Sequence, residues 1–157
     1  MRRRIEERVA VAAPPELVWE AVTDWAGQSE WMLGTTLTVE PGPPGVGQRF
    51  TAVTALGPVG FADPMEVTAW DPPRRADVRH LGDVVRGTGT FTVDPAPGGA
   101  WLTWTEDLEV PFGWAGVAGL KALEPLARGG LRVSLRRMAR DLEARSRPKL
   151  RRVEEAT

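Results

Sequence analysis

Two side chains in this sequence are placed to move protons inside an apolar enclosure: His80, the single histidine, and Glu106. In a strand over residues 75–81, Ala76, Val78 and His80 share one face; over residues 101–109, Leu102, Trp104, Glu106 and Leu108 do. A carboxyl held among apolar groups has its pKa raised by desolvation, and a neutral imidazole passes protons near pH 7. Such a pair suits enolisation, aldol cyclisation or dehydration. The competing reading leaves either residue at a strand end, solvated or paired with an arginine. Asp63 shares a third set with Met65 and Val67, but Gly60 to Pro64 reads as a bulge or turn that exposes it.

The rest of the composition closes off other mechanisms. The chain has no Cys, Asn or Tyr, and its only serines are Ser29, Ser134 and Ser146. Cysteine nucleophiles, disulfides and Cys-based zinc sites are excluded, and one imidazole cannot build a His-rich metal centre. Neither a metal nor a cofactor is expected. Gly45-Val46-Gly47 lacks the Gly-Lys-Ser/Thr ending of a phosphate loop, Gly87-Thr88-Gly89 lies within a strand run, and no Gly-x-Ser-x-Gly elbow occurs. Seven Trp, four Phe and four Met among 42% apolar residues suit the holding of apolar matter.

Those side chains must be positioned by one domain, since a chain of 157 residues buries roughly 70% of its unfolded surface in a single core. Residues 4–12 alternate as a strand, and Pro14-Pro15 stops it; 14–24 and 25–32 read as two short helices. Strand-like runs follow at 35–40, 48–56, 59–70, 75–81, 84–93 and 101–109, separated by turn chemistry, which implies an antiparallel meander. Leu120, Leu123, Ala127, Leu131, Leu135, Met138 and Leu142 then recur at helical spacing. Pro125 either lies in the first turn of this helix, starting near Glu124, or kinks it. The domain is expected to span 1–147, with 148–157 a disordered tail.

The net charge of −1 is a cancellation: residues 1–127 carry 10 basic and 17 acidic side chains, and residues 128–157 carry 10 basic and 4 acidic. The basic segment reads as a solvated helix face, because its arginines fall at exposed spacing and cations complement a helix C-terminus. No nucleic-acid partner is expected. Met1-Arg2-Arg3-Arg4 runs into Ile5-Glu6-Glu7-Arg8 rather than an apolar core, and the longest uncharged runs, 50–62 and 110–120, are too short to span a bilayer. A cytoplasmic protein with no integral membrane part is expected. Nothing in the sequence fixes an oligomeric state.

The element order, with Val11-Ala12-Ala13-Pro14-Pro15-Glu16-Leu17-Val18-Trp19, Asp24-Trp25 followed by Trp31, the Gly45-Val46-Gly47 loop, Val67-Thr68-Ala69-Trp70-Asp71-Pro72-Pro73-Arg74 and Thr103-Trp104-Thr105, resembles the SRPBCC superfamily. This is the helix-grip fold of START lipid-transfer domains, pollen-allergen-like proteins and the polyketide cyclase/dehydrase family. The resemblance implies an α+β domain in which a curved antiparallel sheet of about seven strands wraps a long C-terminal helix, with two short helices after strand 1. It also implies a cavity for a small hydrophobic ligand between sheet and helix.

Trp25, Trp31, Phe50, Asp63, Met65, Val78, Phe91, Trp104, Phe112, Trp114, Leu123 and Leu131 are the expected lining, with His80 and Glu106 as candidate catalytic groups. Residues 110–120, with Phe112 and Trp114 among three glycines, read either as a gate to that cavity or as the ordinary start of the helix. Three functions follow. The first is a carrier or binding protein for a polyketide-, lipid- or isoprenoid-like molecule. The second is a cofactor-free cyclase or dehydratase using His80 and Glu106 on a polyketide-like substrate. The third is a protein-interaction module.

Overall fold

The computed structural model describes residues 2–83, 85–109 and 113–154, with side chains left out at 56, 59, 113–120 and 148–154. In chain order the elements are β1 (Arg2–Val11), α1 (Pro15–Thr23), α2 (Gln28–Trp31), β2 (Thr35–Val39), β3 (Arg49–Leu56), β4 (Val59–Asp71), β5 (Arg75–His80), β6 (Arg86–Ala96), β7 (Gly99–Glu109) and α3 (Gly113–Glu154). The strands form one antiparallel sheet in the order β1-β7-β6-β5-β4-β3-β2. Six of them make the expected meander, and β1 closes the far side against β7. This is a helix-grip fold.

Local chemistry explains most boundaries. Pro15 opens α1, where its missing N–H is not needed. At nine residues α1 is too short to stand alone, so its stability comes from docking: Val18 and Val22 are fully buried. The β6–β7 hairpin is tighter than the turn read from residues 94–99: the strands continue to Ala96 and from Gly99. Gly98, at φ +75°, supplies the left-handed turn conformation that permits this. The irregularity in β4 falls between Val67 and Ala69, not at 60–64. Asp63 therefore lies in a regular ladder opposite Ala52.

The long helix begins at Gly113, so of the two placements open to Pro125 the interior one holds. It departs from the expected helix in two ways, the first being that it continues past Pro148 to Glu154, where a tail was expected. Among its described side chains, the apolar stripe docks from Leu131 onward: Leu135, Met138 and Ala139 are buried in the core with Leu102, Phe91 and Val93. Leu123 and Leu126 are 59% and 61% exposed. Upstream of Leu131 the helix is held by charge. Arg3 and Arg128 pair with Glu124 at 2.7 and 2.9 Å, and Arg132 and Arg128 reach the buried Glu7 of β1 at 3.0 and 3.4 Å. Arg128 and Arg132 thus tie the helix to the sheet while remaining partly exposed, at 34% and 54% of their side chains. Ser134 adds a pin, accepting the Leu33 N–H at 3.0 Å while donating to Gly130 O.

Among the described residues no helix is long and apolar enough to cross a membrane. Residues 110–112 lie outside the described part, and only the backbone of 113–120 is described, so the gate reading, with Phe112 and the Trp114 side chain, lies outside it too.

A Cβ at Gly129 or Gly130 would meet nothing within 4 Å, and both sit in mid-helix. Gly129→Ala and Gly130→Ala should each stabilise the fold by about 0.5–1 kcal/mol. A denaturant midpoint that fails to rise in either variant contradicts this account of α3.

Candidate ligand-binding cavity

Four adjacent strands assemble the polar part of the site on the concave face. Asp63 comes from β4, His80 from the end of β5 and Glu106 from β7. His80 Nδ1 lies 2.8 Å from Asp63 Oδ2 and its Nε2 lies 2.9 Å from Glu106 Oε2. The Trp104 indole N–H donates to the other oxygen, Glu106 Oε1. Strand β6 separates β5 from β7, so Glu106 must reach across it. It does so over Gly89, its cross-strand partner. A Cβ there would stand 3.1 and 3.3 Å from the two Glu106 carboxylate oxygens and 2.9 Å from Val78 Cγ2.

This geometry decides the state of the histidine. Burial lowers its pKa, but the hydrogen bonds and charges of Asp63 and Glu106 outweigh that and raise it to about 10. At pH 7 His80 is an imidazolium donating from both ring nitrogens. The expectation of a neutral imidazole passing protons near pH 7 is therefore corrected. So is that of an exposed Asp63, which is buried and whose Oδ1 accepts no hydrogen bond.

The ionic line forms one corner of a cavity of about 270 Å³. Phe50, Met65, Val78, Phe91 and Trp104, all expected, form its walls with Asp63, His80 and Glu106. Trp25 and Trp31 stand one layer back. Trp25 stacks on Phe50, ring centroids 4.5 Å apart, and donates to Gln48 Oε1; Trp31 meets Trp104 edge-on. Leu131 packs on the core without reaching the wall, and Leu123 faces solvent, because α3 stands off the sheet upstream of residue 131.

The wall also holds Gln28, Met32, Thr35, Leu37, Ala52, Thr54, Phe61, Val85, Leu108 and Ala127. Strand alternation carries a signal for Ala52 and Thr54, which follow Phe50 at period two. Nothing local marks Gln28 or Ala127. Phe61 and Ala127 line the cavity while exposed to solvent, which puts its opening between β4 and α3.

A larger groove of about 420 Å³ runs past Arg2, Arg79 and Arg86. Those arginines are already paired with Glu109, Glu66 and Asp83, so it reads as ordinary charged surface. Among the described residues no group of three or more His, Asp or Glu is arranged to hold a metal ion. Ser29 and Ser134 accept backbone N–H bonds, and Ser146 donates to Leu142 O, all structural roles.

The family model for polyketide cyclase / dehydrase and lipid transport matches residues 2–143. The chain belongs to this family. Among curated protein sequences none matches it. Its fold is similar to that of the Zhui aromatase/cyclase from Streptomyces sp. R1128, with TM-score 0.79 and 19% identity over 92% of this chain and 96% of that one. It is also similar to TTHA0849 from Thermus thermophilus, with TM-score 0.76 and 20% identity over 93% and 99%. The di-domain ARO/CYC StfQ from the steffimycin biosynthetic pathway matches at TM-score 0.76 and 16% identity; this chain spans 52% of it, about one of its two domains.

In this family member the raised His80 pKa ties stability to pH. The contribution is fully present below the unfolded value near 6.5 and is lost as pH rises through about 10. Unfolding free energy should therefore fall between pH 7 and 11. His80→Gln should cost roughly 3–5 kcal/mol at pH 7, because it leaves the buried Asp63 and the part-buried Glu106 without their cation, and should flatten the alkaline fall. A wild-type stability that is level across this range would contradict the imidazolium assignment. Gly89→Ala should move the onset of the fall to lower pH by displacing the Glu106 carboxylate.

Proposed function

We propose that the protein binds a small hydrophobic molecule of polyketide-, lipid- or isoprenoid-like character in this cavity, as a carrier or binding protein of its family. The observation that carries the reading is the void itself: about 270 Å³ of space inside a core otherwise filled by aromatic and aliphatic side chains. Small-ligand sites have this form, apolar walls with a few polar points. Filled at interior packing density, it takes about 200 Å³ of ligand, the volume of a two- or three-ring aromatic body. An interaction module would call for a filled interior, so the third reading loses its support.

One observation favours a second reading, a cofactor-free cyclase or dehydratase. Glu106, 16% exposed at its side chain, lies on the cavity wall beside a fixed positive charge. In that reading Glu106 is the group that exchanges a proton with the substrate, and His80 holds the developing charge in place. Confinement of a reactive chain supplies much of the remaining rate. The two aromatase/cyclase neighbours lend this reading weight at the level of the fold.

Native mass spectrometry of the protein from its own cells should reveal a retained apolar molecule. Ala52→Trp, which fills the cavity, should lower affinity for an added naphthalene-type probe by about tenfold or more, as expected when the space for a buried ring is removed. Undiminished binding in that variant places the ligand elsewhere. Glu106→Gln separates the two readings: a carrier shows no conversion of a bound poly-β-ketone in either form, whereas an enzyme loses conversion and keeps binding.

A further inference from the structure

The hydrogen-bonding inventory of the cavity wall is one-sided. His80 gives both ring N–H groups to Asp63 and Glu106, and the Trp104 indole gives its N–H to Glu106. Thr54 and Thr35 hydroxyls lie 3.0 Å apart, and Thr35 donates onward to Leu33 O, which engages both protons. The Gln28 amide donates to Val22 O at 2.7 Å and is 2% exposed. Among the described residues no Arg or Lys lines the space.

What remains are acceptors. Each Glu106 oxygen receives one hydrogen bond and has room for another. Thr54 Oγ1 keeps a lone pair; Asp63 Oδ1 also accepts nothing, but that atom is buried and out of a ligand's reach. Two carboxyl groups face one imidazole, so acceptors outnumber donors in the corner.

We propose that this cavity selects ligands whose polar end donates hydrogen bonds, a hydroxyl or an amine on an apolar body, and discriminates against the same body ending in a carboxylate. The inference rests on the cavity reading above and names its ligand class. A hydroxyl or ammonium satisfies the free acceptors. A carboxylate would bring a second set of acceptors to a wall whose donors are engaged, apart from the second amide proton of Gln28 in a residue 2% exposed, and its desolvation would go uncompensated.

The test is calorimetric titration of the full-length protein at pH 7 with naphthalene, 1-naphthol, 1-naphthylmethylamine and 1-naphthoate, four probes sharing one body. At least one of the two donor probes should bind about tenfold or more tightly than naphthoate, the scale of one unpaired buried polar group. Naphthol against naphthylmethylamine then tells a neutral donor from a cationic one. Naphthoate binding as tightly as both donors, with naphthalene also bound, overturns the donor rule and leaves the cavity reading standing. Failure of all four to bind overturns the cavity reading itself. Glu106→Gln, which puts an amide donor in the corner, should shrink the preference over naphthoate several-fold. An unchanged ratio there removes Glu106 from the discrimination, and the wild-type comparison decides the rule even if that variant does not fold.

Discussion

Three charges share an apolar interior here, and their mutual neutralisation constrains everything around them. A carboxylate or imidazolium withdrawn from water is costly unless paired and hydrogen-bonded. Asp63, His80 and Glu106 meet that condition by lying in line across β4 to β7, with the imidazolium between the two carboxylates. The line crosses β6 only because residue 89 has no side chain. Trp104 serves twice, as cavity wall and as donor to Glu106. Against the burial that lowers it, the hydrogen bonds and charges of Asp63 and Glu106 raise the His80 pKa, so the histidine enters the site as a group that the two carboxyls hold.

The cavity exists because α3 is held in two different ways. From Leu131 onward apolar side chains pack into the core with the sheet. Upstream and at the junction itself, Glu7 and Glu124 grip Arg3, Arg128 and Arg132. Long charged side chains span a gap that apolar ones would collapse into, their heads near solvent and their stems along the helix. The helix is thus kept over the sheet without filling the volume beneath it. The exposed Leu123 and Leu126 follow from the same arrangement.

Members of a fold this widely shared differ in what lines the cavity more than in the scaffold that surrounds it. At 16–20% identity to the three neighbours described, the chain retains the architecture over nine-tenths of its length. In this chain the described wall has an acidic corner and no Arg or Lys.

Much was legible in the sequence because the side-chain period of a strand is local physics. Alternation alone put Ala76, Val78 and His80 on one face, and Leu102, Trp104 and Glu106 on another, as observed. The meander and the short helices followed from turn chemistry and periodicity, and the helix-grip arrangement from the resemblance that their order and motifs carry. What alternation could not supply was distance between strands. Asp63 and His80 are 17 residues apart, and Glu106 is 26 beyond His80; only the register of four strands brings them within hydrogen-bond reach. The protonation of His80 is likewise a property of that meeting, since an isolated imidazole titrates near neutrality. Helical period made Leu123 and Leu131 equivalent, and the tertiary structure separated them, because a periodic stripe is buried only where another surface comes close enough to cover it. Residue type and period thus fixed which way each side chain points, and the three-dimensional packing decided what it meets there.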